Sequence, residues 1–442
     1  MKPIPHIKIQ PVSASNGSAP GVSKKAKLPV DTTWRLERLL WAPHRLGFFA
    51  AACVMAIASA WWAVEMIWRV SPFGPLSHAS VATYSHALIM SLGFLPLFFV
   101  GFLFTAGPRW LGMPDGTAQP LLKPVVAFVI GWLALLVGTH LSQVLAGLGV
   151  ACSGIAWSAL TWRFIQIVRG SRAADRLHAK LIAGSCTVGS VLMILAAAAL
   201  TMDQMDALRL CAYLGLWWFV VPVYTTVAHR MIPFFTASAV PVLDSWRPNW
   251  LLWSLMSLSW WHGAGALCDA QGWLQNGTVY GVRCLVSLAA SGGVLALAIR
   301  WGLVQSLKIR LLAMLHLGFV WLGLAYGLEA VSLLMQTTGQ LGLGLAPLHA
   351  LSMGFLGSIL LAMATRVSCG HSGRTLTADN PAWALYGVLQ LAVVARIGAV
   401  LMPAYAGPTL VVAALLWLIA VGGWAVRYGR WFGQPRVDGK AG

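Results

Sequence analysis

Apolar runs long enough to cross a membrane recur along almost the whole chain from residue 46 onward. A helix of ~20 apolar residues spans the ~30 Å hydrocarbon core of a bilayer. Of the 442 residues, 58% are hydrophobic and only 10% are charged, whereas soluble domains carry about a quarter charged residues. The runs also lack the short alternating segments of an outer-membrane barrel. We therefore expect an all-α, polytopic transmembrane helical bundle.

Windows of about 20 residues predict twelve spans. They lie near 46–67, 86–106, 124–141, 144–167, 181–201, 208–228, 249–268, 279–299, 311–335, 345–364, 382–404 and 407–427. The third and fourth share one apolar run that is too long for a single crossing, so we divide it near His140. The expected domains are a disordered basic cytoplasmic tail (1–42), the membrane domain (43–428) and a cytoplasmic C-terminal tail (429–442).

The distribution of Lys and Arg predicts the orientation. Basic residues concentrate in the N-terminal segment and in the loops near 163–180 and 300–310, whereas the opposite face receives only Arg69, Arg209 and Arg283. The positive-inside rule then places both termini in the cytoplasm. The net charge of +18 is spread over short loops without a basic patch interleaved with aromatic residues. We therefore expect membrane lipid, and no nucleic acid, as a partner.

Residues 347–374 place a histidine at each end of an uncharged apolar run. If the run is one helix, His349 and His371 lie on the order of 30 Å apart, near opposite faces of the membrane. They cannot bind the same metal. Small residues suit close packing against neighbouring helices, and four recur along the run: Ser352, Gly354, Gly357 and Ser358. The pattern predicts a central helix.

Two histidines lie at matched depth near the outer face. His86 opens the second span and His349 opens the tenth, so facing helices could present them as axial ligands of one b-type haem. The seven cysteines form no CxxCH motif, so the haem would be held noncovalently. A helix-start histidine bonded to a backbone carbonyl is the alternative for either residue. His78 and His262 are candidate additional ligands, for which ordinary structural roles also remain open.

Four further histidines lie at the inner ends of spans 1, 6, 9 and 10, namely His44, His229, His316 and His371. Imidazole nitrogens bind copper well, and the set predicts a second metal site, either copper or a second haem. Histidines that cap helix ends are the alternative. Guanidinium groups hold carboxylates bidentately, and the candidate propionate or structural partners are Arg109, Arg230, Arg366, Arg374 and Arg396. The positive-inside rule also explains the first four. Arg396 lies well inside span 11, where pairing with Glu65 or Glu329 is an equal alternative.

Five blocks of the sequence resemble the NnrS family. They are PHRLGFF (43–49), HALIMSLGFLPLFFVGFLFTAGPRWLG (86–112), HRMIPFF (229–235), RLLAMLHLGFVWLG (310–323) and HALSMGFLGSILLAMATRVSCGHSGR (349–374). The resemblance implies a twelve-span haem- and copper-containing protein of the bacterial inner membrane. It also implies a role in denitrification and in resistance to nitric oxide and nitrosative stress. The family's histidines fall on the six named above as haem or inner-site ligands, without indicating which metal each binds.

Histidines on spans 2 and 10 also resemble subunit I of the haem-copper oxidases and nitric oxide reductases. That superfamily has a second histidine on its tenth span where this chain has Pro347, and another on its seventh where this chain has Gly263. Its usual binuclear site is therefore not expected. A redox protein, such as a haem-dependent nitric oxide reductase supplied by quinol or a cytochrome, is the first hypothesis. A non-enzymatic haem, copper or nitric oxide binding protein is the second, and a transporter is less favoured.

Overall fold

The computed structural model describes residues 33–273 and 275–439, and these residues form helices and connecting loops without a strand. Twelve long helices follow one another: α1 Pro43–Val70, α2 Ala82–Trp110, α3 Gln119–Leu141, α4 Gln143–Gly170, α5 Leu177–Thr201, α6 Met205–Ala239, α7 Asn249–Ala270, α8 Gly277–Arg300, α9 Arg310–Thr337, α10 Ala346–His371, α11 Asn380–Leu401 and α12 Pro403–Phe432. The predicted polytopic helical bundle is confirmed.

Each of the twelve predicted spans corresponds to one of these helices. Among the described residues, eleven helices are long and apolar enough to cross a membrane. The exception is α7, which has 22 residues but is less apolar because Trp, Ser and His interrupt it. The predicted division near His140 is also found, since α3 ends at Leu141 and α4 begins at Gln143. Ser142 caps α4 by accepting a hydrogen bond from the backbone N–H of Leu145.

Three helices form the centre of the bundle. In the most apolar window of α2, α6 and α10, 78%, 72% and 78% of the residues are buried, compared with 28% for α11. The central position predicted for the tenth span is therefore confirmed. We call the end of the bundle where α1 begins, which the charge pattern predicts to be cytoplasmic, the inner end. The opposite end is the outer end.

All three central helices contain a π-helical segment: Ile89–Gly93 in α2, Gly215–Val220 in α6 and Ala350–Gly357 in α10. The segments of α2 and α6 pack against each other. A π segment inserts a residue into the helical turn, and such segments occur frequently at functional sites. Here one begins three residues after His86 and another directly after His349. The helical distortion therefore coincides with both predicted outer ligands.

Close packing between helices of the bundle depends on glycine. A Cβ atom on Gly47 of α1 would lie 2.6 Å from the Gly101 Cα atom of α2 and 2.9 Å from the Leu97 carbonyl oxygen. Only a residue without a side chain lets the two backbones approach this closely. In α10, a Cβ on Gly354 would likewise lie within 3 Å of the Trp321 indole. These contacts fix the positions of α1 and α10, which carry His44 and His371.

The segments that precede α1 and follow α12 pack against the inner end of the bundle. Residues 36–41, inside the predicted N-terminal tail, form a 3₁₀ helix. Residues 429–432, predicted as tail, continue α12 to Phe432, and Arg45 donates hydrogen bonds from Nη1 to the carbonyls of Phe432 and Gln434 at 2.9 and 2.6 Å. The buried Arg45 therefore anchors the segment that follows α12. Residues 1–32 and 440–442 of the predicted tails lie outside the described residues.

Candidate haem and metal sites

The structure brings His86 and His349 together at the outer end of the central helices. The two rings are close enough to interact electrostatically. His349 Nδ1 lies 2.9 Å from the carbonyl oxygen of Leu345. Because a carbonyl only accepts, Nδ1 carries the proton and Nε2 keeps its lone pair, which is the form that binds iron. His86 stacks on Trp62 with ring centroids 3.7 Å apart. The buried Nδ1 of His86 has no hydrogen-bond partner among the described residues, so each ring keeps a nitrogen for a ligand, and haem binding there stays a prediction.

Arg396 of α11 faces the same place. It interacts electrostatically with both His86 and His349. The alternative partners expected from the sequence are engaged elsewhere, since Glu65 lies 2.9 Å from His78 Nε2 and Glu329 interacts with Arg283. Within residues 33–273 and 275–439, no ion pair to Arg396 is formed. A cation inside the bundle without a carboxylate partner suits an anionic ligand group.

At the inner end, His44 of α1 and His371 of α10 form a pair. Their ring centroids are 4.2 Å apart, with 39° between the ring planes. The His44 Nδ1 atom is buried and has no hydrogen-bond partner among the described residues. An imidazole nitrogen left unbonded in a buried site costs free energy unless a ligand engages it. The pair could therefore supply two nitrogen ligands to one metal ion.

His229, the second predicted inner ligand, is bonded to protein through both ring nitrogens. Nε2 lies 3.2 Å from the carbonyl oxygen of Pro248, and Nδ1 lies 3.0 Å from Nε2 of His178. The carbonyl requires the proton on His229 Nε2, so Nδ1 must accept from His178. Neutral His229 consequently has no free lone pair. The unbonded nitrogen of this couple is His178 Nδ1, which is buried.

His316 occupies a third position. Its Nε2 atom lies 2.9 Å from the hydroxyl of Thr236, whose own proton goes to the carbonyl of Ile232 at 2.9 Å. His316 therefore donates from Nε2, and its Nδ1 atom is buried without a partner. The ligand atoms of His44, His229, His316 and His371 do not form one cluster in the described part of the chain. The predicted four-histidine site instead divides into one pair and two separate histidines, because the inner helix ends are spread across the bundle.

The four inner arginines have partners of their own. Arg109 holds Asp115 bidentately at 3.1 and 3.2 Å, which lowers the pKa of that loop carboxyl. Arg230 lies 3.8 Å from Asp175 and over Trp110. The guanidinium groups of Arg366 and Arg374 lie over Phe235 and Trp431, at 3.9 and 4.1 Å. Of the five predicted propionate partners, Arg396 is the one near a histidine pair that lacks such a contact among the described residues.

An apolar cavity lies between α1, α2, α6 and α10, from the middle of the bundle toward its inner end. Phe48, Phe98 and Met363 contribute to its lining. A second cavity shares Phe102 and Val367 with it and is lined also by Arg109 and His371. The His44–His371 pair therefore adjoins an apolar space in the centre of the protein.

The two candidate additional ligands differ in their surroundings. His262 lies between Trp217 and Tyr326. Its Nδ1 lies 2.8 Å from the Leu258 carbonyl and its Nε2 lies 3.4 Å from the Ser287 hydroxyl. Both nitrogens are thus occupied by protein. His78 lies in the loop before α2 and contacts Glu65.

Comparison with known protein families identifies the family of this chain. A family model described as NnrS protein matches residues 38–436. The chain belongs to the NnrS family. A search of curated proteins found no match to the chain. The match includes all twelve helices of the bundle and every histidine of the two predicted sites.

Three residues of this NnrS protein acquire significance only from the structure. His178 was expected in a basic loop, but it lies in the first turn of α5 and bonds to His229. Trp62 was one of 23 tryptophans, and it is the residue that stacks on His86. Glu65 was expected only as a partner of Arg396. A carboxylate in the middle of an apolar run was the signal available in the sequence.

Proposed function

We propose that this NnrS protein binds a b-type haem at its outer end, between His86 and His349. The observation that carries the proposal is the convergence of two histidines and the unpaired Arg396 where two central helices are π-helical. His349 would hold the iron through Nε2, oriented by its bond to Leu345. Arg396 would neutralise a propionate. The buried Nδ1 of His86 lacks a protein partner in the described part of the chain. The ring could therefore bind iron through either nitrogen.

A second centre is proposed at the His44–His371 pair. Two imidazoles on one ion suit copper, and the apolar cavity next to His371 suits a small, weakly polar molecule such as nitric oxide. Phe48, Phe98 and Met363 would exclude water from that space. A haem with two histidine ligands has no open position, so nitric oxide would bind at the inner centre. His86 and His349 would hold a redox cofactor for which a quinol or a cytochrome is the electron donor.

When bound, haem and metal would supply the redox chemistry, and the residues of the chain would bind them, exclude water and provide charge. Reduction of two nitric oxide molecules to nitrous oxide and water consumes two electrons and two protons. Arg109 and His371 line the second cavity at the inner end, where they would place two polar groups between the predicted cytoplasmic face and the apolar cavity. This supports a role in nitric oxide metabolism and resistance to nitrosative stress, with reduction of nitric oxide as the specific activity.

The outer haem is tested by pigment analysis of purified protein and of the His86→Gln and His349→Gln variants. Each variant should lose the low-spin haem signal, because a single remaining imidazole cannot maintain six-coordinate iron. The His262→Gln variant is the matched control, since both nitrogens of His262 are bonded to protein. Full haem content with an unchanged spectrum in His86→Gln and His349→Gln would refute the site.

The activity is tested by adding nitric oxide and a chemical reductant to the purified protein and measuring nitrous oxide. We expect turnover in the wild type and its loss in His371→Gln. Tight binding of nitric oxide without nitrous oxide would instead favour the non-enzymatic binding protein. A protein that contains no haem or copper would overturn both functions.

A further inference from the structure

A second group of metal-binding side chains lies at the outer end of the bundle, apart from the His86–His349 pair. Glu65 of α1, His78 of the following loop and His140 at the end of α3 each offer one ligand atom, and the three atoms lie within 4.8 Å of one another. His78 Nε2 is 2.9 Å from Glu65 Oε1, and His140 Nε2 is 3.6 Å from the same oxygen. Among the described residues, no other group of three His, Cys, Asp or Glu side chains converges in this way.

The loop that carries His78 is fixed to the end of α3. The backbone N–H groups of Ala79 and Ser80 both donate to the carbonyl of Thr139, at 2.8 and 3.2 Å. The Thr139 hydroxyl in turn donates to the Ser85 hydroxyl at 2.7 Å or to its own helix. Two chain segments distant in sequence are thus held together directly beside His78 and His140. The ligand atoms are therefore positioned by the backbone before any ion binds.

The hydrogen bonds of His140 select the tautomer that binds metal. Nδ1 lies 3.2 Å from the carbonyl oxygen of Ser77. Because that carbonyl only accepts, Nδ1 carries the proton and Nε2, 3.6 Å from Glu65 Oε1, keeps its lone pair. Metal-binding histidines in proteins usually donate their other nitrogen to a carbonyl or carboxylate in this manner. The second shell of a metal site is thus present.

The burial of the Glu65 carboxylate favours a bound cation. Its side chain is only 1% exposed, and a buried carboxylate requires a compensating positive charge. In the described part of the chain its polar neighbours are the two histidines, which are neutral when they act as ligands. We propose that Glu65, His78 and His140 bind a divalent transition-metal ion through one carboxylate oxygen and two imidazole nitrogens.

This donor set specifies the class of ion. Two imidazoles and one carboxylate suit Zn²⁺, Cu²⁺ or Fe²⁺ and leave coordination positions open for water or a small ligand. Calcium and magnesium prefer oxygen donors and are disfavoured. His78 and His140 are 19% and 29% exposed, so solvent reaches the imidazole side of the group. An ion could enter from the outer end without passing through the bundle.

One tryptophan competes with the ion. Trp61 donates its indole N–H to His140 Nε2 at 2.9 Å, which occupies the lone pair that the metal requires. Its neighbour Trp62 stacks on His86, so adjacent residues of α1 contact this site and the proposed haem ligand. Metal binding must displace the Trp61 indole. The Trp61→Phe substitution removes that competitor and keeps all three ligands.

The test uses the full chain, purified in detergent and freed of metal with a chelator. Zn²⁺ is the probe, and bound zinc per chain and the melting temperature are measured together. Wild type should bind one more Zn²⁺ than Glu65→Gln, His78→Gln or His140→Gln, and added zinc should raise its melting temperature by more than it raises that of these three variants. Cu²⁺ should displace the zinc, as the order of divalent affinities requires. The His262→Gln variant is the histidine control and should bind zinc as wild type does.

The Trp61→Phe variant should bind zinc more tightly, because His140 Nε2 no longer accepts from the indole. Weaker binding would contradict His140 Nε2 as a ligand. Equal zinc content in wild type and in all three ligand variants would overturn the proposal. Glu65 and a protonated His78 would then form a plain ion pair, recognised by an equal loss of melting temperature in Glu65→Gln with and without zinc. Because zinc content is compared between variants that keep His86 and His349, this outcome does not depend on the proposed function.

Discussion

Replacing Gly47 by Ala tests how the inner histidine pair is positioned. The added Cβ would lie 2.6 Å from the Gly101 Cα and 2.9 Å from the Leu97 oxygen, whereas carbon atoms in contact are ~3.5–4.0 Å apart. Because the opposing atoms belong to the backbone, α1 and α2 must separate by about 1 Å. Overpacking of this kind costs roughly 1–3 kcal/mol, and the better helix propensity of Ala recovers about 0.5–1 kcal/mol. We expect a net loss of roughly 1–2 kcal/mol.

The matched control is Gly292→Ala in α8, where nothing lies within 4 Å of the added Cβ. Only the propensity gain applies there, so this variant should be stabilised by about 0.5–1 kcal/mol. Denaturant unfolding in detergent measures both changes. Metal content supplies a second readout, since displaced α1 carries His44 away from His371. A Gly47→Ala protein as stable as Gly292→Ala, with full inner metal content, would refute the packing argument.

Two further predictions concern charged groups at the inner end. Arg45→Met removes the buried donor to the Phe432 and Gln434 carbonyls and should cost roughly 1.5–3 kcal/mol of unfolding free energy, with faster tryptic cleavage beyond α12. Arg109 lowers the pKa of Asp115, so the pair stabilises the folded protein above the ordinary carboxyl value of ~3.9 and that stabilisation is lost as the pH falls through the lowered pKa. Melting temperatures of wild type and Asp115→Asn should therefore differ slightly at pH 6 and converge at low pH, whereas a constant difference would contradict the pair.

Hydropathy predicted the helices because membrane insertion depends on composition over about 20 residues, which a sequence displays directly. The boundary at Ser142 followed from length, since one crossing cannot absorb the apolar run on both sides of it. The π segments could not be predicted. Their shifted hydrogen bonds depend on how α2, α6 and α10 pack against neighbouring helices, and Ala350–Gly357 has no composition that distinguishes it from an α-helix. The helices also extend beyond their apolar windows, so the predicted spans were short.

The depth of a histidine along its helix could be predicted from the sequence, but the direction in which its side chain projects from the helix axis could not. His86 and His349 were predicted at one depth, and their helices line a common cavity. His44, His229 and His316 were also predicted at one depth, yet they project from helices at different places in the bundle and meet different partners. For Glu65, the sequence marked the residue but did not predict its partner. Its position among apolar residues marked it as unusual, whereas its partner His78 comes from a loop that no periodicity describes.

The hydrogen bonds of the inner histidines make a final prediction about which of them bind metal. His229 donates from Nε2 to Pro248 and accepts at Nδ1 from His178, so it has no lone pair to offer. His371 lines a cavity and pairs with His44. We therefore expect His371→Gln to lose copper and His229→Gln to retain it, with copper per chain measured in both purified variants. His229→Gln should still lower the melting temperature, because His178 loses its acceptor in a buried site. Loss of copper in His229→Gln without loss in His371→Gln would show that the inner centre lies beside α5 and α6 instead.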